Sequence, residues 1–202
     1  MIRNVGIYIF DGIEVLDLGG PFEVFSTASR MKIRLQPDAP KPFEVFTVAD
    51  SVRPIRARGG LMLQPGFNIT HHPAIDVFIV PGGVVAAELE RDPIIAWIKQ
   101  CAAKSELTAS VCTGAFLLGK AGLLRGKTIT THWEDVDDFR AMFPDIPVDG
   151  DRRWIDAGEI VTSAGISAGL DMSLHLVRRL ESEELAIRTA RQMDYDWQRL
   201  PS

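Results

Sequence analysis

The sequence predicts an α/β fold: a doubly wound, mainly parallel sheet with helices on both faces. Three observations carry that expectation. Short apolar runs of strand length recur as VGIYIF, DVFIV and LTASV, and such runs mark strands buried on both faces. Helical segments alternate with them, the order that builds parallel sheets. The runs end in polar or Gly/Pro-rich loops, and in such folds function sits at the strands' C-terminal ends.

VGIYIF (5–10) is the first predicted strand, and PFEVFSTASRM (21–31) the first helix. Pro21 suits a first helical position, where its missing N–H would have no partner anyway. PFEVFTVAD (42–50) is the next strand, followed by a Gly/Pro-punctuated stretch (51–68) of short irregular strands. DVFIV (76–80) is a further strand, ended by Pro81-Gly82-Gly83. Asp92 is expected to cap a helix running through IIAWIKQCAA, with Pro93 in its first turn. LTASV (107–111) and TGAFLLGKAGLL (113–124) read as strand and helix, and KTITTH (127–132) with EDVDDFRAMF (134–143) repeats that order. RRWID and EIVTS flank Ala157-Gly158 as a hairpin, and GLDMSLHLVRRLES and EELAIRTARQM are closing helices.

At 202 residues, with no repeat or linker, the whole chain (1–202) is expected to be one domain. A net charge of −5, from 22 basic against 27 acidic residues, offers no electrostatic footprint for nucleic acid or an anionic membrane. The apolar N-terminal run is too short to span a bilayer and has no small-residue cleavage site after it. Two cysteines are far too few for a disulfide-stapled secreted domain. A cytoplasmic, enzyme-sized domain is the expectation.

The stretch TASVCTGAFLLGKAGLLRG (108–126) is where chemistry concentrates. GAFLLGK fits the first part of a phosphate-binding loop, but Ala121 stands where a metal-binding hydroxyl is required. A second frame ending in Gly126-Lys127-Thr128 has Ala121 in place of its first glycine, and no G-x-G-x-x-G occurs. A nucleotide site is rejected. Cys112, by contrast, lies between a strand and a helix start, with the small residues Ser110 and Gly114 two positions either side. A nucleophile elbow has this pattern, and helix-terminal N–H groups there would lower the thiol pKa. A buried structural cysteine is the competing reading. Cys101, inside a helical pattern, has no such context.

Other loops leave the sheet at the same edge. Asp17 sits between two leucines, a setting that would raise its pKa for proton transfer; alternatively it is a helix N-cap ahead of Pro21. Glu14 and Asp11 read as turn or surface residues. Gly82 and Gly83 could aim backbone N–H groups at a developing negative charge, or form only a tight turn. His132 ends a predicted strand at this edge and either touches substrate or packs behind the site. His175 reads as a structural histidine. His71-His72 has no third ligand at metal-site spacing, so no metal is expected.

FDGIEVLDLGGPFEVFSTA, DVFIVPGG, SVCTGAFLLGKAGLLRGKTITTHW and EIVTSAGISAGLDMSLHLV, in this order, resemble the ThiJ/PfpI superfamily, and in particular its isocyanide hydratase-like branch. The resemblance implies a flavodoxin-like fold related to class I glutamine amidotransferases, and a homodimer. It makes Cys112 the nucleophile, Asp17 its acidic partner, and Thr113 the residue following the nucleophile. Gly83 belongs to the glycine pair facing the cysteine, and Ile166 lines the pocket. Relatives of peptidase and glyoxalase type carry histidine directly after the cysteine, where this chain has Thr113. Regulators with this domain append a helix-turn-helix module, and the chain stops at Ser202 without one, so DNA binding is not expected.

The implied reaction is hydration of an isocyanide to an N-substituted formamide. A thioimidate would form on Cys112, with Asp17 passing protons, Asp17 and Thr113 orienting water, and no cofactor. An α-oxoaldehyde glyoxalase or deglycase, and a non-enzymatic ligand or redox sensor, are the alternatives. Tyr195, Trp197 and Pro201 in the tail MDYDWQRLPS are expected to cover an apolar surface, on their own subunit or near a two-fold contact.

Overall fold

The computed structural model describes residues 1–199. Seven strands form one sheet in the order β5-β2-β1-β6-β7-β9-β8. They are β1 (Arg3–Tyr8), β2 (Phe43–Ala49), β5 (Phe67–Asn68), β6 (Val77–Val80), β7 (Leu107–Val111), β8 (Trp154–Asp156) and β9 (Ile160–Ser163). All neighbours are parallel except β8, which returns antiparallel to β9 as the expected hairpin. Two short strands, β3 (Ile55–Arg56) and β4 (Met62–Leu63), pair separately as a small hairpin. The doubly wound, flavodoxin-like α/β fold read from the sequence is the observed one.

Helices cover both faces. On one, α1 (Val15–Leu35), α6 (Ala168–Leu180) and α7 (Glu183–Gln192) pack on one another; on the other, α2 (Ala86–Leu89), α3 (Asp92–Ala102) and α4 (Gly114–Lys120) do so. A single 3₁₀ turn (Trp133–Asp135) runs into α5 (Val136–Met142). With both faces covered, every residue of β6 and β7 is buried, which explains their unbroken apolar or small-residue character. Strand order reverses beside β1, between β2 and β6, and the loops after β1 and β6 are tied together there by Glu14 N–H to the Gly82 carbonyl and Val84 N–H to the Gly12 carbonyl, both at 3.0 Å. Register fixes the neighbouring loop ends, since Val80 pairs with Ser110 and Val111 with Ser163. The turns after β6, β7 and β9 therefore emerge side by side.

Three expectations need correction, and one open choice is decided. The first helix begins at Val15, not at Pro21, and Pro21 lies inside it. Proline deprives the Asp17 carbonyl of its i+4 donor, but Asp17, Leu18, Gly20 and Pro21 are all buried, and packing holds the helical path. KTITTH is not a strand. The place beside β7 is taken by β9, so Ile129 makes one isolated bridge to Val148, and the Thr130 N–H donates to the Thr162 hydroxyl at 2.9 Å. Asp92 is the first helical residue rather than a cap; Arg91 precedes it with no side-chain cap bond. The tail takes the first of its two expected placements and packs on its own chain: the Trp197 indole donates to the Asp171 carbonyl at 3.3 Å and the Gln198 N–H to Asp171 Oδ1 at 2.8 Å. Pro201 lies outside the described residues. Among the described residues no helix is long and apolar enough to cross a membrane.

Candidate active site

Cys112 follows β7 directly with φ +56°, a left-handed conformation that costs a non-glycine residue about 1–2 kcal/mol. Its N–H is shared between the Ser163 and Ala164 carbonyls at 3.1 and 3.3 Å, and its carbonyl accepts the Thr131 hydroxyl at 2.9 Å. Backbone bonding on both sides thus holds the turn. Gly114, at the start of α4, is required by space: a Cβ there would lie 2.0 Å from the Val80 carbonyl oxygen. Ser110 is fully buried, as crowding under an elbow demands.

Asp17 lies in the first turn of α1, not in a loop, and is 0% exposed. Its Oδ2 accepts the Gly82 N–H at 3.1 Å. Burial, reinforced by the charge of Glu14, raises its pKa to about 7, against the hydrogen bonds from Gly82 and the Cys112 thiol. The Cys112 thiol does not have the lowered pKa expected of a helix start. Burial first, then the Asp17 charge, push it up to about 12, against N–H groups of Thr113 and Ile166 directed at the sulfur. The reason is physical: α4 is only seven residues long, and Cys112 is 7% exposed, so lost hydration outweighs the N–H donors. At neutral pH the resting pair therefore holds a neutral thiol beside a carboxyl group that burial has brought into the range where it can give or take a proton.

The glycine pair does not present free N–H groups to the sulfur. Gly82 donates to Asp17, and Gly83 to the Thr113 hydroxyl at 2.9 Å, which in turn donates to the Gly83 carbonyl at 2.9 Å. Both glycines thus position Asp17 and Thr113. A Cβ on Gly82 would fall 2.5 Å from Thr113 Oγ1 and 3.0 Å from Asp17 Oδ2. The donors that do reach the thiol, Thr113 N–H and Ile166 N–H, are backbone groups of residues flanking the crevice. Ile166 has φ +47°, an outlier for a β-branched residue.

Above the thiol opens a cavity of about 210 Å³. Cys112, Thr113, Gly83, Ile166 and His132 line it, bringing together five residues singled out from the sequence. Asp17 is absent from its surface and lies behind the cysteine. His132 precedes the 3₁₀ turn, its Nδ1 3.2 Å from Asp135 Oδ2 and accepting the Glu134 N–H at 3.3 Å. Glu14, read as a turn or surface residue, lies in the turn before α1 and is half-buried in the cavity wall with Arg58 3.9 Å away. Sequence reading missed Arg58, Val84, Glu134 and Asp135. Arg58 arrives on the tip between β3 and β4, where its N–H donates to the Ile13 carbonyl at 3.0 Å. The Gly59-Gly60 pair beside it was the available signal of a tight tip.

The remaining candidates lie elsewhere. His175 bonds Asp156 at 2.7 Å and stacks on Trp154 at 4.0 Å, a structural placement. Cys101 is buried in α3, and burial pushes its thiol up to about 11. Among the described residues no group of three His, Cys, Asp or Glu side chains is arranged to hold a metal ion.

Comparison with known proteins adds to this picture. The model of the DJ-1/PfpI family matches residues 3–179. The isonitrile hydratase of Pseudomonas putida is 32% identical over 196 residues, covering 96% of this chain and 79% of that protein. The HTH-type transcriptional regulator GbdR of Pseudomonas aeruginosa is 27% identical over 194 residues, and the match covers 51% of its length. Among solved structures, a THiJ/PfpI family protein from Pseudomonas syringae superposes with a TM-score of 0.84 at 28% identity, over 97% of this chain and 76% of that one.

Proposed function

The chain belongs to the DJ-1/PfpI family, and from that premise we propose that it hydrates an isocyanide to an N-substituted formamide through Cys112. The observation that carries this reading is the pairing of a strained, cavity-facing thiol with a buried carboxyl that titrates near 7. The similarity to an isonitrile hydratase supplies the substrate class.

The thiol is neutral at rest, so it must be activated as it reacts. Asp17 as carboxylate takes the Sγ proton while sulfur bonds to the terminal isocyanide carbon. The same proton passes from Asp17 to that carbon, which gives the thioimidate R–N=CH–S–Cys112. Water then adds to the carbon and passes a proton to the adjacent nitrogen. The C–S bond breaks, the thiol regains a proton from the new hydroxyl, and R–NH–CHO leaves. Charge that builds on sulfur in either direction meets the Thr113 and Ile166 N–H groups. Splitting one hydration into two additions lowers each barrier. The Thr113 hydroxyl, bonded in both directions to Gly83, fixes the loop rather than the water. The steps call for no metal or organic cofactor. The same proposal takes residues 1–202 as one cytoplasmic domain, forming a homodimer and acting on a small molecule without nucleic-acid or membrane partners.

A ligand-sensing role is the second reading, and the similarity to a transcriptional regulator favours it. Turnover separates the two. Purified protein is assayed with an alkyl or aryl isocyanide and, in parallel, with methylglyoxal, using wild type and Cys112→Ala. Formamide produced by wild type and not by Cys112→Ala supports the hydratase. Turnover of methylglyoxal alone transfers the chemistry to α-oxoaldehydes, and binding without turnover of either leaves sensing.

A further inference from the structure

The cavity over Cys112, about 210 Å³, is smaller than the roughly 300–1,000 Å³ of ordinary small-molecule sites. It does not end there. Gly83, Val84, Thr113 and Asp135 also border a second, open depression of about 590 Å³ between α2 and α5. Its floor is apolar, made by buried Val85, Leu89 and Phe116. On its rim stand Val84 and Met142, 54% and 50% exposed, two large apolar side chains left in water beside one groove. The charges bordering it are the carboxylates of Asp135 and Asp138, which would repel an anionic occupant.

We infer that this groove is the subsite for the apolar substituent of the substrate, so that the enzyme acts on isocyanides bearing an extended, uncharged alkyl or aryl group. The inference rests on the hydratase reading for the reactive head group, but the groove itself is defined independently by its continuity with the thiol cavity. The head reacts at Cys112, and the substituent leaves past Val84 to lie on Leu89 and Phe116 with Met142 over it. A carboxylate-terminated substituent is disfavoured.

The test uses a series of N-alkyl iodoacetamides, from methyl to octyl. Cys112 alkylation rates are read by mass spectrometry and corrected for intrinsic reactivity with glutathione. Wild type should label about two- to fourfold faster per added methylene, from the burial of each CH₂, until the groove is full. Ala86→Glu and Met142→Lys, both at exposed rim positions, should flatten that slope while unchanged circular dichroism shows the fold intact. Alkyl isocyanides of the same lengths are then compared by kcat/KM. A labelling slope without turnover at any length upholds the groove and rejects the hydratase. Turnover with a flat labelling slope rejects the groove and keeps the hydratase. A slope untouched by both substitutions also overturns the inference. So does a dimer that Ala86→Glu converts to monomer in sedimentation, because a second copy would then occupy the groove.

Discussion

Replacing Asp17 with asparagine separates two consequences of burying a carboxyl group. Asparagine keeps the shape and can still accept the Gly82 N–H, now 3.1 Å from Oδ2, but it neither ionises nor carries a proton to sulfur. Folding raises the pKa of Asp17 from an ordinary 3.8 to about 7, so the native state prefers its protonated form. The sign follows. The contribution of this group is intact at acid pH, where folded and unfolded chains both hold the proton. It declines as pH rises above about 4, because the unfolded chain ionises first, and is lost once the pH passes about 7. Three pKa units at 1.36 kcal/mol each set an upper limit of ~4 kcal/mol on the penalty above pH 8. Urea unfolding of wild type and Asp17→Asn, repeated from pH 5 to 8.5, measures it. Their stability difference should shift in favour of asparagine as pH rises, by about 2–3 kcal/mol over that range, because part of the penalty is already present at pH 5. Turnover should nevertheless fall roughly a hundredfold or more, as for a lost acid-base group. Stability curves that run parallel across the range would refute the buried-carboxyl argument, and turnover of isocyanide at the wild-type rate would refute the proton-transfer role.

Brief iodoacetamide exposure at neutral pH should alkylate Cys112 faster than Cys101. Both thiols are held neutral by burial, but only Cys112 has a carboxylate beside it to take the proton, so Asp17→Asn should cut its rate about tenfold, as peptide mapping would show. Gly114→Ala forces a Cβ to 2.0 Å from the Val80 oxygen and should cost about 3 kcal/mol or more, measured as a lowered thermal midpoint or as insolubility. Thr113→Val removes both bonds to Gly83 and should cost about 1–3 kcal/mol with reduced turnover, whereas Thr113→Ser should recover most of both. Deletion after Asp194 strips Trp197 from its place on Asp171 and should destabilise the protomer by about 3 kcal/mol. Sedimentation at micromolar concentration should show the intact chain as a dimer, and a monomer there would end the dimer proposal.

Much of the fold was legible because its signals are local. Unbroken apolar runs such as DVFIV betray strands covered on both faces, whatever their neighbours are. The elbow was equally legible, since small residues two positions either side of Cys112 are what a left-handed turn jammed against β6 requires. KTITTH misled for the complementary reason. Its pattern records burial, and Ile129, Thr130 and Thr131 are indeed buried, but pairing depends on which strand reaches the open edge of β7 first. That edge belongs to β9, from thirty residues further along.

By itself, then, the sequence determined the layered α/β architecture, the strand-to-helix turn at Cys112 and the motifs that place the chain in its family. Each of these is written in spacing and residue size. Only the tertiary structure decided the electrostatics and the reach of the site. Asp17 takes its raised pKa from being sealed behind Cys112, and Cys112 from the same seal, which overrides the helix-start donors that local sequence brings to mind. Gly82 and Gly83 spend their N–H groups on Asp17 and Thr113 because three separate loops converge there. Arg58 and Glu14 meet at the cavity because the β3–β4 hairpin folds back on the loop after β1. Burial, hydrogen-bond partnership and pKa are properties of what lies opposite in space, and no periodicity along the chain encodes them.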